Sequence, residues 1–167
     1  MADFNTVDVL GDNAVMDGLI DGSITEFKDN YAETVGTYAF AYCRKLETVV
    51  LPNVTRLETY GFLNCTALKH LDLASVTYMA DNCLYRVSKL SRLILRNTSE
   101  VCTMQNSNVL AYCTLIKNGT GYIYVPRALV DSYKAATNWA SYADQFRALE
   151  DYTVDGTTTG ELDETKI

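Results

Sequence analysis

The chain has 167 residues, 48% hydrophobic and 21% charged, with 14 Lys and Arg against 21 Asp and Glu for a net charge of −7. That is one globular domain, long enough to bury roughly 68–70% of its unfolded surface without metals or disulfides. The acidic balance argues against the basic footprint a nucleic-acid partner requires, and no apolar run approaches the ~20 residues that span a bilayer.

Residues 1–22 are expected to form an N-terminal helical cap. Asp12 or Asn13 can start a helix that turns Val15, Met16, Leu19 and Ile20 inward and ends at Gly22. The opening Met1-Ala2-Asp3-Phe4 offers neither the basic segment nor the apolar run of a secretory signal, so synthesis in the cytoplasm without a signal peptide is expected.

Residues 23–126 carry an internal repeat of 22 residues. Laying residues 35–56 over 57–78 gives eight identities without a gap: Thr37/Thr59, Tyr38/Tyr60, Phe40/Phe62, Cys43/Cys65, Leu46/Leu68, Leu51/Leu73, Val54/Val76 and Thr55/Thr77. The next 22 residues keep the apolar frame through Met79, Leu84, Val87, Leu90, Leu93 and Leu95. Upstream, Ile24, Phe27, Ala32 and Val35 make a partial first coil in which Asp29 replaces the apolar residue at the Leu51 position. Beyond residue 98 the register slips, but Ala111-Tyr112-Cys113 repeats Ala41-Tyr42-Cys43 and Ile123-Tyr124-Val125-Pro126 echoes Val49-Val50-Leu51-Pro52. Insertions near residues 99–106 and Asn118–Gly121 account for the slip.

Each unit contains L-x-x-(V/L)-x-L, whose last apolar residues alternate with period two and read as a short strand with one buried face. One unit cannot bury that face alone, so neighbours must stack with parallel strands ~4.7–4.9 Å apart. The expected fold is an α/β solenoid of about five coils.

Residues 127–150 are expected to close it as a C-terminal helical cap. Pro126 sits at or just before a helix start, and Leu129, Val130, Tyr133 and Ala136 share one face, while Asn138 can cap a second short helix carrying Tyr142 and Phe146. Residues 151–167 are polar and acidic, and read first as a disordered tail, with a hairpin about Asp155-Gly156 as the alternative.

The string Val35-Gly36-Thr37-Tyr38-Ala39-Phe40, Cys43, Leu46, Val49 and Leu51-Pro52-Asn53-Val54 closely resembles the BspA-type leucine-rich repeats, the leucine-rich repeat 5 family. The resemblance covers residues 24–126 and weakens at 79–98, where Cys83-Leu84 stands for Ala-Phe and Val87 for Cys. It implies a right-handed leucine-rich-repeat solenoid and roles at bacterial surfaces or in adhesion. The segment from Tyr122 to Trp139 also looks like the closing module of many bacterial members, and cap and tail resemble proteins of gut-bacterial prophages.

His70, the only histidine, falls between Leu68 and Leu71 on the solvent side of its strand, with Asp72 two residues on along the same face. No G-x-S-x-G or equivalent supplies a nucleophile, so a surface or binding histidine is expected and not an enzyme. The five cysteines lack the C-x2–4-C pairing of zinc sites, so neither metal nor cofactor is expected. Cys43 and Cys65 read as a buried ladder, and Cys102 as the thiol most open to reaction. Glu47 and Asp72 could suggest paired-carboxylate hydrolysis, but a flat repeat surface provides no enclosing cleft.

What remains is the strand face. One row reads Glu26, Thr48, His70, Arg92, Tyr122 and its neighbour reads Lys28, Val50, Asp72, Ile94, Tyr124, varying from coil to coil over a constant frame. The eight residues from Thr48 and Val50 onward are the candidate binding residues, since Tyr and Arg are enriched at interface hot spots. The expectation is a non-enzymatic recognition module for a protein or surface glycan, with no nucleic acid and no membrane insertion. A virion or prophage protein released by lysis, assembling into a larger particle through caps or tail, reconciles this with the missing signal; a cell-surface adhesin is the alternative location. The rival function is a purely structural subunit.

Overall fold

The computed structural model describes residues 11–14 and 21–167. The expected helix over Val15, Met16, Leu19 and Ile20 lies outside the described residues.

Each L-x-x-(V/L)-x-L unit forms a strand, alternating half-buried and buried in Thr48–Leu51 and buried from its second residue onward in the later coils. Strands β1 (Glu26–Lys28), β3 (Thr48–Leu51), β5 (His70–Leu73), β7 (Arg92–Leu95) and β9 (Tyr122–Val125) stack in one parallel sheet, joined at its far edge by β10 (Phe146–Ala148). Two-residue strands β2 (Thr34–Val35), β4 (Arg56–Leu57), β6 (Tyr78–Met79) and β8 (Thr103–Met104) form a second parallel sheet. This solenoid-like stacking puts partners 22 residues apart: Glu26 opposite Thr48, Thr48 opposite His70, His70 opposite Arg92. The step then lengthens to 25 residues from Tyr78 to Thr103 and to 30 from Arg92 to Tyr122, across the two insertions. The added chain accommodates a 3-10 turn at Ser107–Val109, capped by the Asn106 side chain, and helix α1 (Thr114–Lys117).

In three successive coils the third side is made of turns with two left-handed residues each. Tyr38, Tyr60 and Asn82 have φ of 58°, 58° and 54°, and Tyr42, Asn64 and Arg86 have 64°, 56° and 59°, again 22 residues apart. These conformations are uncommon for bulky residues. They let main-chain N–H groups donate along the stack: Phe40 to the Gly61 carbonyl (2.7 Å), Phe62 to Cys83 (2.9 Å), Tyr42 to Leu63 (2.7 Å) and Asn64 to Tyr85 (2.9 Å). Gly36 is required where it stands, since a Cβ there would lie 2.6 Å from the main-chain nitrogen of Asp12.

Between the three sides runs one core. Val49, Leu51, Val54, Leu57, Phe62, Cys65 and Leu68 are fully buried, as are their counterparts one coil on. Each apolar side chain so buried contributes about 1.5–3 kcal/mol. Phe40 and Phe62 stack face to face at 4.9 Å with 2° between ring planes. Asp29, the break in the apolar frame, is buried and accepts hydrogen bonds from the main-chain nitrogens of Tyr31 and Ala32 (3.0 and 3.2 Å), so its carboxylate organises the turn and not the core.

The closing segment departs from a purely helical cap. A 3-10 turn (Arg127–Leu129) leads into α2 (Val130–Ala135), where Tyr133 is fully buried and Leu129, Val130 and Ala136 pack against the core. Asn138 does not cap a helix through its side chain: it adopts φ of 68° and donates from Nδ2 to the Met104 carbonyl (3.1 Å). Trp139, almost fully buried, donates from Nε1 to the Cys102 carbonyl (2.6 Å), while the Tyr133 hydroxyl accepts from the Cys102 nitrogen (2.9 Å). After a 3-10 stretch (Ala140–Gln145), Phe146 lies on β10 and not on a second helix, because the outer edge of β9 needs main-chain partners and Phe146–Ala148 supplies them in parallel register.

Residues 151–167 fold back on themselves about Asp155-Gly156, the arrangement read as the alternative to a disordered tail. Val154 N donates to the Glu161 carbonyl and Asp163 N to that of Tyr152 (both 2.8 Å), bringing Thr153 opposite Leu162. The connecting turn is held by the Asp155 carboxylate, which accepts from the nitrogen and hydroxyl of Thr157, and by Gly160, where a Cβ would collide with that carboxylate. A second small cluster seats this return on the sheet: Tyr152, Leu162 and Ile167 pack on Ile94, Tyr124 and Leu149.

Candidate binding surface

The first row of candidates aligns as read. Thr48, His70, Arg92 and Tyr122 stand opposite one another on β3, β5, β7 and β9, and Val50, Asp72, Ile94 and Tyr124 do the same one position on. Their accessibility divides them. Thr48, Val50, His70, Arg92 and Tyr122 are half-buried, whereas Ile94 is fully buried and Tyr124 nearly so, both beneath the C-terminal hairpin. Ile94 and Tyr124 are thus anchors for the chain's own tail and not open contact residues. Tyr124 meets Tyr152 edge to face at 5.1 Å.

Asp72 is also buried, paired through both carboxylate oxygens with Arg96 (2.8 and 2.9 Å). The same guanidinium donates to the carbonyls of Thr158 (2.7 Å) and Gly160 (3.0 Å), so it ties strand face and hairpin together. Arg92 donates from Nη1 to both oxygens of Glu164 (2.9 and 2.8 Å). The central roles of Arg96, Leu162 and Glu164 are not legible from the repeat: Arg96 lies just past its strand, and the hairpin carries no repeat motif. Two residues beyond Ile94 on the Asp72 row, Arg96 had the one usable signal, a cation on the same face as a carboxylate.

Between hairpin and sheet lies a groove of about 450 Å³, lined by Thr48, Val50, His70, Arg92 and, on its tail side, Leu162 and Glu164. A neighbouring hollow of about 700 Å³ lies beyond the Asp72–Arg96 pair, against Pro52, Asn97 and Thr159. Burial lowers the His70 pKa below its ordinary value, and Arg92 adds to this while Asp72 opposes it. The groove therefore presents a neutral imidazole near neutral pH, able to donate one hydrogen bond and accept one. Glu47 is bridged to Lys69 (3.0 Å) and Asp72 is engaged by Arg96, so both carboxylates that paired-carboxylate hydrolysis would need are held by cations.

All five cysteines are free and buried. Cys102 is not the exposed thiol its place in an insertion suggested. It lies under α2 with its main chain held by Tyr133 and Trp139, and burial pushes its pKa up to about 12, as it does for Cys113. Among the described residues no group of three or more His, Cys, Asp or Glu side chains is placed to hold a metal ion, and no helix is long and apolar enough to cross a membrane.

Comparison with protein families matches residues 22–121 to the BspA type Leucine rich repeat region, in six copies. No curated protein matches the chain.

Proposed function

Because the chain belongs to the BspA-type leucine-rich repeat family, we propose that it is a non-enzymatic recognition module that binds a protein partner in the groove between its strand face and its C-terminal hairpin. The observation that carries this reading is the groove itself, where Thr48, Val50, His70 and Arg92 vary in character from coil to coil above a frame that stays apolar. Side chains that differ in sequence order but stand in a regular row form a surface specified residue by residue, which recognition needs and mere stacking does not. The architecture within this reading is a right-handed solenoid of about five coils, closed at its C-terminal end by short helical segments and β10.

The module acts on a bacterial surface or in a virion released by lysis, with a surface glycan as the alternative ligand of the same face. The test is adsorption of labelled protein to bacterial cells and to immobilised extracellular proteins. Thr48→Ala, Val50→Ala and His70→Ala combined should lower adsorption by about tenfold or more, the scale of losing one hot spot. Unchanged adsorption by the folded triple variant would sink the strand-face reading. One observation favours a second reading, a structural subunit: the hairpin already covers Ile94 and Tyr124, as an assembly element with no need of a free face would allow. Co-purification in a particle with full tolerance of the triple variant would select it.

A further inference from the structure

The turn side of the repeats carries a second surface with different chemistry. Of the 14 Lys and Arg side chains, seven form ion pairs: Lys28, Arg56, Lys69, Arg92, Arg96, Arg127 and Lys166. Five of the others are exposed on the turn side: Arg44 and Lys45 just after left-handed Tyr42, Arg86, itself left-handed, with Lys89 one turn on, and Lys117 at the end of α1. Among the described residues none of the five makes an ion pair. Residues 42–45, 64–67, 86–89 and 112–119, which the repeat stacks side by side there, contain no Asp or Glu. Asp21 comes within electrostatic reach of Lys45, but its hydrogen bonds go to the nitrogen and hydroxyl of Ser23 (both 2.8 Å). Among the described residues this edge thus carries five cations, with Asp21 beside Lys45 the carboxylate in electrostatic reach at its first coil.

Tyrosines run through the same edge. Tyr38 stacks on Tyr60 at 5.3 Å, Tyr60 meets Tyr85 edge to face at 5.8 Å, and Tyr85 meets Tyr112 at 4.5 Å. Tyr42 and Tyr112 are 50% and 47% exposed, two of the four exposed large apolar side chains among the described residues. Arg44 lies over the Tyr42 ring and Arg86 over that of Tyr85, so the aromatic faces hold the cations in place without neutralising them. A hollow of about 600 Å³ opens here, lined by Asn64, Thr66, Arg86, Ser88, Tyr112 and Lys117.

We infer that this edge is a second binding site, for an acidic polysaccharide bearing carboxylate or sulfate groups. Arg86 and Lys117 would take the anionic groups, the Asn64 amide and the Thr66 and Ser88 hydroxyls the sugar hydroxyls, and the Tyr112 ring a face of the sugar. The lining side chains are amides, hydroxyls and cations around the Tyr112 ring and Ala111, without the cluster of aliphatic side chains found at the centre of a protein interface. The net charge of −7 opposes a polymer as densely charged as nucleic acid, with one negative charge per ~1.7 Å of duplex, but admits a chain of sparser charge. This site lies on a different side of each coil from the strand face and stands independently of the reading given above.

The probes are chondroitin sulfate and polygalacturonate, with neutral dextran, oligothymidylate and polyglutamate alongside, in affinity electrophoresis of the full chain. Both acidic glycans should retard the protein and dextran should not. Arg86→Ser with Lys117→Ser, and separately Tyr112→Ala, should each weaken retardation by about tenfold, the loss expected of hot-spot residues. Lys134→Ser on α2 and the Thr48/Val50/His70 triple variant should leave it unchanged, which separates this site from the strand-face groove. No retardation by either acidic glycan would overturn the proposal. So would equal loss in Lys134→Ser, which would mean diffuse charge attraction, and so would tighter binding of oligothymidylate or polyglutamate.

Discussion

The regular coils and the closing segment solve the same burial problem by opposite means. From β1 to β7 each side chain packs on its own counterpart one coil away, as Phe40 does on Phe62, so stabilisation is spread over many similar contacts. Beyond β9 no counterpart exists, and the coil before it is closed by chain that has none. There the fold depends on single, unrepeated contacts: Trp139 and Tyr133 gripping both main-chain groups of Cys102, Asn138 reaching Met104, Arg96 joining Asp72 to the hairpin. Repetition makes a fold tolerant, whereas closure concentrates the sensitivity in a few residues.

The sharpest way to break that contrast is Trp139→Ala. It should cost about 3–5 kcal/mol in a urea denaturation curve, from the cavity and from a Cys102 carbonyl left without its donor. Arg96→Ala comes next, at about 3 kcal/mol, because it leaves the buried Asp72 carboxylate unpaired and releases the Thr158 and Gly160 carbonyls together. Phe62→Leu, within the regular stack, should cost only about 1–2 kcal/mol, since neighbouring coils keep most of their contacts. A loss as large as that of Trp139→Ala would erase the distinction.

The pH response of His70 is smaller still. Its folded pKa lies below the ordinary 6.5, so the unfolded chain binds the proton first as pH falls. The contribution of the neutral imidazole is complete above about pH 6.5 and is lost as pH falls toward the folded value, and His70→Gln should flatten that part of the stability profile. Least of all, Glu164→Gln should shift stability by less than about 1 kcal/mol, because the carboxylate that meets Arg92 is largely exposed.

What could be read from the residues follows the same division. The 22-residue period places Thr48, His70 and Arg92 in one row because identical spacing forces identical register. The two insertions were visible as slippage, and the longer steps to Thr103 and Tyr122 occur across them. Beyond the period, periodicity had nothing to report. Phe146 reads as helical from its spacing to Tyr142, but main-chain demand at the edge of β9 makes it a strand residue. Cys102 reads as exposed because it falls in an insertion, yet two distant aromatics bury it. The hairpin's polarity concealed that Tyr152, Leu162 and Ile167 suffice to seat it on Ile94 and Tyr124. Nor does any local signal mark Tyr38 and Tyr60 as left-handed, since that conformation is imposed by hydrogen bonding between coils.

The two outermost strands of the large sheet bear on how copies of this protein can associate. Strand β1 is only three residues long, with Glu26 and Lys28 exposed and paired to each other beside the buried Phe27, and β10 is equally short with Arg147 at its centre. Short, charged borders of this kind are poor templates for another chain's backbone. Among the described residues, then, neither border of the ladder is a good template for a further strand, which favours side-chain contacts on its faces for any higher assembly.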